Sequence, residues 1–147
     1  MSRDEVQQFF ERYRDAFNAL DGDAVAELWH AAGSGITDTG ADGQARVTWW
    51  PQAGPMRANH QALCELYRHN GFARSEFSLH QHHALGAEHA FALLQWRLLR
   101  HDGSLLQQFQ TAYQVLRTLQ GPRVLLAVAF EEDTQRLKHT VAAASPA

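Results

Sequence analysis

The sequence predicts an α+β domain, helices first and an antiparallel sheet after them, on three observations. Apolar residues recur at three- and four-residue spacing from Val6 to Leu20, the period of a helix with one buried stripe. From Phe72 onward the period falls to two, in four long runs. The runs are separated by Gly86, His101-Asp102-Gly103 and Gln120-Gly121-Pro122, which read as turns. Strands that follow one another through short turns pair antiparallel, unlike the alternating units of a parallel sheet.

The first helix carries Val6, Phe9, Phe10, Tyr13, Phe17 and Leu20 on one side. Asp21-Gly22-Asp23 breaks it: Gly22 turns the chain, and Asp21 can cap a second helix striped by Val25, Leu28 and Trp29. Short extended pieces at 36–38 and 45–50 flank Asp42-Gly43, a hairpin signal. Pro51, Gly54 and Pro55 suggest a loop before a third helix over 57–70, with Leu63, Leu66 and Tyr67 inward. The strands are expected at 74–85, 88–100, 104–119 and 122–132. The domain is expected over 1–133, with an Ala-rich, frayed tail over 134–147.

The chain has 147 residues and a net charge of −3, with no strongly basic stretch. Phosphate-backbone binding needs clustered Lys and Arg, so nucleic acid is not an expected partner. The single cysteine, Cys64, excludes an intrachain disulfide. No run approaches the roughly 18 apolar residues of a membrane span, and the polar N-terminus does not resemble a signal peptide. A cytoplasmic protein without membrane contact is expected.

The strands are apolar on both faces. Ala90, Leu94, Trp96 and Leu98 alternate with Phe91 and Leu93, and Val124, Leu126, Val128 and Phe130 alternate with Leu125, Ala127 and Ala129. One face can pack on the helices, and a second copy of the chain is the simplest cover for the other. In the third long strand Gln108, Gln110, Ala112 and Gln114 share the side expected to meet that copy. Phe109, Thr111, Tyr113 and Val115 lie opposite.

The run Arg12-Tyr13-Arg14-Asp15-Ala16-Phe17-Asn18, the Gly22-Asp23 junction, Leu28-Trp29 and the final strand pair turning at Gly121 resemble the nuclear transport factor 2 superfamily. That superfamily includes ketosteroid isomerase, polyketide cyclases and scytalone dehydratase. The resemblance covers residues 3–132 and implies a curved sheet wrapped around a long helix, forming a cone with an internal pocket. It also places Tyr13 and Asp38 at the isomerase's oxyanion-donor and proton-shuttling positions. A phenol in an apolar cavity stabilises a developing enolate, and a carboxylate in such a cavity is a stronger base than in water. The isomerase's additional late-strand acid has no counterpart, because no Asp or Glu occurs between Asp102 and Glu131.

Each candidate has a plainer reading. Tyr13 fits a core position, and Asp38, four residues before Asp42-Gly43, fits a turn. Phe17, Trp29, Trp96, Phe109 and Tyr113 could line a ligand pocket or simply form core. Of Trp49 and Trp50, adjacent on a strand, one must point away from the pocket. His80 and His82 on one strand face, or His60 and Cys64 one helical turn apart, have metal-ligand spacing. Neither set has an evident third ligand, and no metal or cofactor is expected. His30 fits a helix-end cation. Three functions stay open: cofactor-free proton transfer or isomerisation on a small hydrophobic molecule, non-catalytic binding of such a molecule, or a dimeric interaction domain with a self-filled pocket.

Overall fold

The computed structural model describes residues 1–130. The elements run α1 (Arg3–Asn18), α2 (Gly22–Ala26), β1 (Ser34–Thr39), β2 (Ala45–Trp50), α3 (Ala53–His69), β3 (Phe72–Leu85), β4 (His89–Arg100), β5 (Leu105–Thr118) and β6 (Gly121–Ala129). Three helices pack on one curved six-stranded sheet of order β2-β1-β6-β5-β4-β3. The expected frayed tail and the last residues of the expected final strand lie outside the described residues.

The sheet is mixed. β3 to β6 form an antiparallel meander, as expected, but β1 joins β6 parallel, with Ile36 opposite Ala127 and Asp38 opposite Ala129. The β1–β2 hairpin precedes the meander in the chain and attaches to its last strand. The crossover through α3 and the meander sets the direction, which no local pattern reports.

α1 begins with a capping box in which Ser2 and Glu5 each bind the other's backbone N–H. Val6, Phe9, Phe10 and Tyr13 are buried. Asp21 accepts from the Ala24 N–H at 3.0 Å, as expected of a cap. The turn is made not by Gly22 but by Leu20, whose φ is +51°. Gly22 serves a different need: a Cβ there would lie 2.6 Å from the Gln61 Cα, so only glycine lets α2 approach α3. α2 ends at Ala26. Beyond it Leu28 and His30 exchange backbone hydrogen bonds with Val124 at 2.8 and 2.9 Å, which fixes Trp29 against β6.

α3 starts four residues before the expected position. Pro55 falls in its first turn, where a backbone N–H has no helical partner to lose. Its buried stripe is Met56, His60, Cys64 and Tyr67, and the half-buried Leu63 and Leu66 flank it. In β6 a bulge at Leu125 breaks the expected alternation. Val124 and Ala127 face inward, while Leu126 and Val128 face out opposite Gln114 and Ala112.

Candidate functional site

The sheet's concave face, α1 and α3 enclose a cavity of about 60 Å³. Tyr13, Phe17, Trp29, Trp96, Phe109 and Tyr113, drawn from four separate segments, all line it. Two indoles are held by phenols. Trp29 Nε1 donates to Tyr13 Oη at 3.2 Å, and Trp96 Nε1 donates to Tyr113 Oη at 3.0 Å. The two tyrosine rings are 6.0 Å apart, and Tyr13 lies 6.1 Å from Trp96, so the four rings form one cage. Buried indole N–H groups need such acceptors, and here each has one.

His60 is the exception. It is 1% exposed, lines the cavity, and neither ring nitrogen has a hydrogen-bond partner. The Trp29 ring lies 4.7 Å away and the Trp50 ring 6.1 Å away. Burial among these rings pushes the imidazole down to about 4 from 6.5, so it is neutral at pH 7. The sequence reading paired His60 with Cys64 and did not place it in the cavity wall. The signal was the stripe Met56, His60, Cys64, Tyr67, whose apolar members mark His60 as inward. Burial pushes the Cys64 thiol up to about 11, so it stays protonated.

Asp38 is elsewhere. β1 carries Ser34, Ile36 and Asp38 on its inner side, two residues or about 7 Å apart along the strand. Ile36 reaches the cavity, whereas Asp38 lies beyond it, at the outer groove between the β1–β2 hairpin and α3. The β1–β2 register sets Arg46 opposite Asp38. The guanidinium takes both carboxylate oxygens, Nε to Oδ1 at 3.2 Å and Nη2 to Oδ2 at 2.9 Å. Tyr13 and Asp38 therefore do not line one cavity, and the turn reading of Asp38 is also not what is seen. The Asx turn of the hairpin is made by Asp42, which accepts from the Gln44 N–H at 3.0 Å. Arg46, which the sequence pattern does not single out, is the partner that holds both oxygens of Asp38.

The groove has a volume of about 720 Å³ and shares Ile36, Leu63 and Ala129 with the cavity, so the two meet there. Trp50 points into the groove at 8% exposure, and Trp49 points away at 53%. The Trp49 ring lies on the outer side of β1, and a Cβ on Gly35 would be 2.7 Å from it.

His80 and His82 do not share a face as expected. A bulge between Leu79 and Gln81 takes His80 out of register, and His82 Nε2 sits 2.9 Å from the Met1 carbonyl. His30 is not at a helix end, because α2 stops at Ala26. Among the described residues no group of three or more His, Cys, Asp or Glu side chains could hold a metal ion. Among them no helix is long and apolar enough to cross a membrane.

No curated protein matches the chain in sequence. Solved structures do match in fold. An NTF2-like protein of unknown function from Shewanella oneidensis is 14% identical with a TM-score of 0.70, over 89% of this chain and 100% of that one. A domain with a cystatin-like fold from Nostoc punctiforme is 13% identical with a TM-score of 0.67, over 97% and 86%. A ketosteroid isomerase-like protein from Erwinia carotovora atroseptica is 12% identical with a TM-score of 0.60, over 88% and 95%. At these identities the likeness is one of fold. The sequence pattern of one family runs from residue 4 to residue 132 of the 147, and by that match the chain belongs to the NTF2-like proteins of family DUF6841.

Proposed function

We propose that the chain binds a small, mostly apolar molecule in the cone, with a hydrogen-bonding group of the ligand against His60. The observation that carries this reading is the unpartnered imidazole in the cavity wall. A buried polar group without a partner costs about 1–3 kcal/mol, and an apolar residue at position 60 would avoid that cost. A ligand hydroxyl or carbonyl supplies the missing bond. Binding is favoured over proton transfer on two grounds. The carboxylate that would act as base is held by Arg46 outside the cavity. An imidazole at about 4 is a weak base at neutral pH.

Titration with 1-octanol, followed by tryptophan fluorescence, tests the reading. Saturable binding is expected because Trp29 lines the cavity. His60→Leu should weaken it about tenfold, the worth of one hydrogen bond. Unchanged affinity in the variant would overturn the assignment.

The outer face supports a second element of the proposal, a homodimer. Val47, Trp49, Phe91 and Val128 are exposed there among Gln95, Gln108 and Gln114. Under two-fold symmetry a side chain can meet its own copy. An amide is both donor and acceptor and tolerates this, where a central Lys or Glu would repel itself. Four strands of about 12 residues span about 750 Å², close to the roughly 800 Å² per partner of a stable interface. A monomer mass by light scattering at micromolar concentration would exclude it.

A further inference from the structure

We infer that the ligand is an elongated acid, polar at both ends, whose inner hydroxyl or carbonyl meets His60 and whose carboxylate meets Arg46 in the outer groove. The inference rests on the ligand reading of the cavity and assigns the other end of the same molecule.

Three observations lead to it. The cavity of about 60 Å³ is well below the roughly 300–1,000 Å³ of a small-molecule site, so a ligand anchored at His60 must continue outward. The way out is fixed by Ile36, Leu63 and Ala129, the residues common to cavity and groove. These side chains are apolar, so the middle of the ligand is apolar too. Beyond them the charged groups lining the groove are Asp38 and Arg46.

The geometry of that ion pair chooses between an acid and an amine. A guanidinium presents two hydrogen-bonding edges, each able to take a carboxylate in parallel fashion. Asp38 occupies the Nε–Nη2 edge of Arg46. The Nη1–Nη2 edge has no acceptor among the described residues, and the Arg46 side chain is 47% exposed. Asp38 is 29% exposed with both oxygens engaged. An incoming cation would have to displace Arg46, whereas an incoming carboxylate finds open donors. Asp38 lies two residues beyond Ile36, about 7 Å along the strand, a distance that a medium-length chain covers.

Three probes separate the two ends: 8-hydroxyoctanoate carries both polar groups, 1-octanol lacks the carboxylate, and octanoate lacks the hydroxyl. Wild-type protein should bind 8-hydroxyoctanoate about three- to fivefold more tightly than 1-octanol at low salt, the upper range of a partly exposed ion pair. Arg46→Gln combined with Asp38→Asn should abolish that preference. Asp38→Asn alone should strengthen binding of 8-hydroxyoctanoate, because it removes a like charge from beside the incoming carboxylate and leaves the Nη1–Nη2 edge of Arg46 open. Equal binding of 8-hydroxyoctanoate and 1-octanol by wild type would overturn the inference, as would a preference that survives loss of Arg46. Either outcome leaves the His60 reading standing. That reading fails separately if the preference for 8-hydroxyoctanoate over octanoate is absent or survives His60→Leu, or if none of the three probes binds. The inference that rests on it then fails too.

Discussion

The two faces of the sheet are built from the same strands and depart from the usual pattern in opposite ways. On the concave face nearly every group is covered, and the indole N–H groups of Trp29 and Trp96 each have a phenol oxygen. In the cavity wall the departure is a polar ring, His60, neither of whose nitrogens has a hydrogen-bond partner. On the convex face Gln95, Gln108 and Gln114 are in contact with water, and the departure is apolar: Trp49, Val47, Phe91 and Val128 are exposed. A chain that folded only for itself would gain stability from an apolar residue at position 60 and from polar residues at those four positions. Each departure is what the proposed occupants would account for, a ligand inside and a second copy outside.

The largest effect tests whether the faces differ energetically. Phe10 is fully buried, 4.7 Å from the Tyr113 ring, and Phe91 is an exposed ring on β4. Phe10→Ala should cost about 3–5 kcal/mol in urea unfolding. Phe91→Ala should cost under about 1 kcal/mol in the isolated chain. Similar losses at the two positions would remove the distinction between a core face and an interface.

His60 gives the next effect, and its sign follows from linkage. The folded chain holds the imidazole at about 4, against 6.5 when exposed. Between these values the unfolded chain binds a proton that the folded chain does not, so stability is complete above pH 6.5 and falls as pH drops toward 4. The loss across that window is about 3 kcal/mol. His60→Leu should remove this part of the pH dependence and raise stability at pH 7 by about 1–3 kcal/mol. Unfolding curves at pH 7 and pH 5 decide it: a parallel fall in variant and wild type would show that another group is responsible.

These two tests also separate what was legible in the sequence from what was not. Tyr13, Phe17, Trp96, Phe109 and Tyr113 converge because helical and strand periods place each on an inward face, and Trp29, beyond the end of α2, is held against β6 by its bridge to Val124. The periods report facing directly. Position along a strand is another matter. Asp38 is on the inner side of β1, yet two residues past Ile36 is enough to carry it from cavity to groove. Its partner Arg46 comes from a hairpin register that the turn signal at Asp42-Gly43 suggests without fixing. The parallel joining of β1 to β6 and the bulge at Leu125 are long-range pairings, and no local window contains them. His60 could have been found from its stripe on α3, had a polar residue in an apolar stripe been taken as inward-facing.

Two smaller effects sharpen the comparison. Gly22→Ala should cost about 1–3 kcal/mol, since its Cβ would meet backbone of Gln61 that cannot rotate away. Ala112→Glu on the outer face, between Leu93 and Val128, should leave the monomer nearly as stable, because its side chain points out of the fold. It should convert a dimer to monomer mass in light scattering, because each copy would bring an unpaired carboxylate into the apolar part of the proposed interface. Retention of the dimer would place the interface elsewhere.

The smallest expected effect belongs to the Asp38–Arg46 pair. Its distances are short, but both partners keep contact with water, so solvent screens their attraction and two long side chains lose freedom to make it. Asp38→Asn should change unfolding stability by less than about 1 kcal/mol, and a double-mutant cycle with Arg46→Gln should give a coupling of about 0.2–1 kcal/mol that shrinks in high salt. The contrast with His60 is instructive. The buried group without a partner carries a pH-dependent contribution several times larger than that of the exposed pair with two good hydrogen bonds, because burial rather than pairing sets the scale. A coupling above about 2 kcal/mol, insensitive to salt, would show that the pair is shielded from water in solution, and the open edge of Arg46 on which the acid-binding inference depends would then be closed.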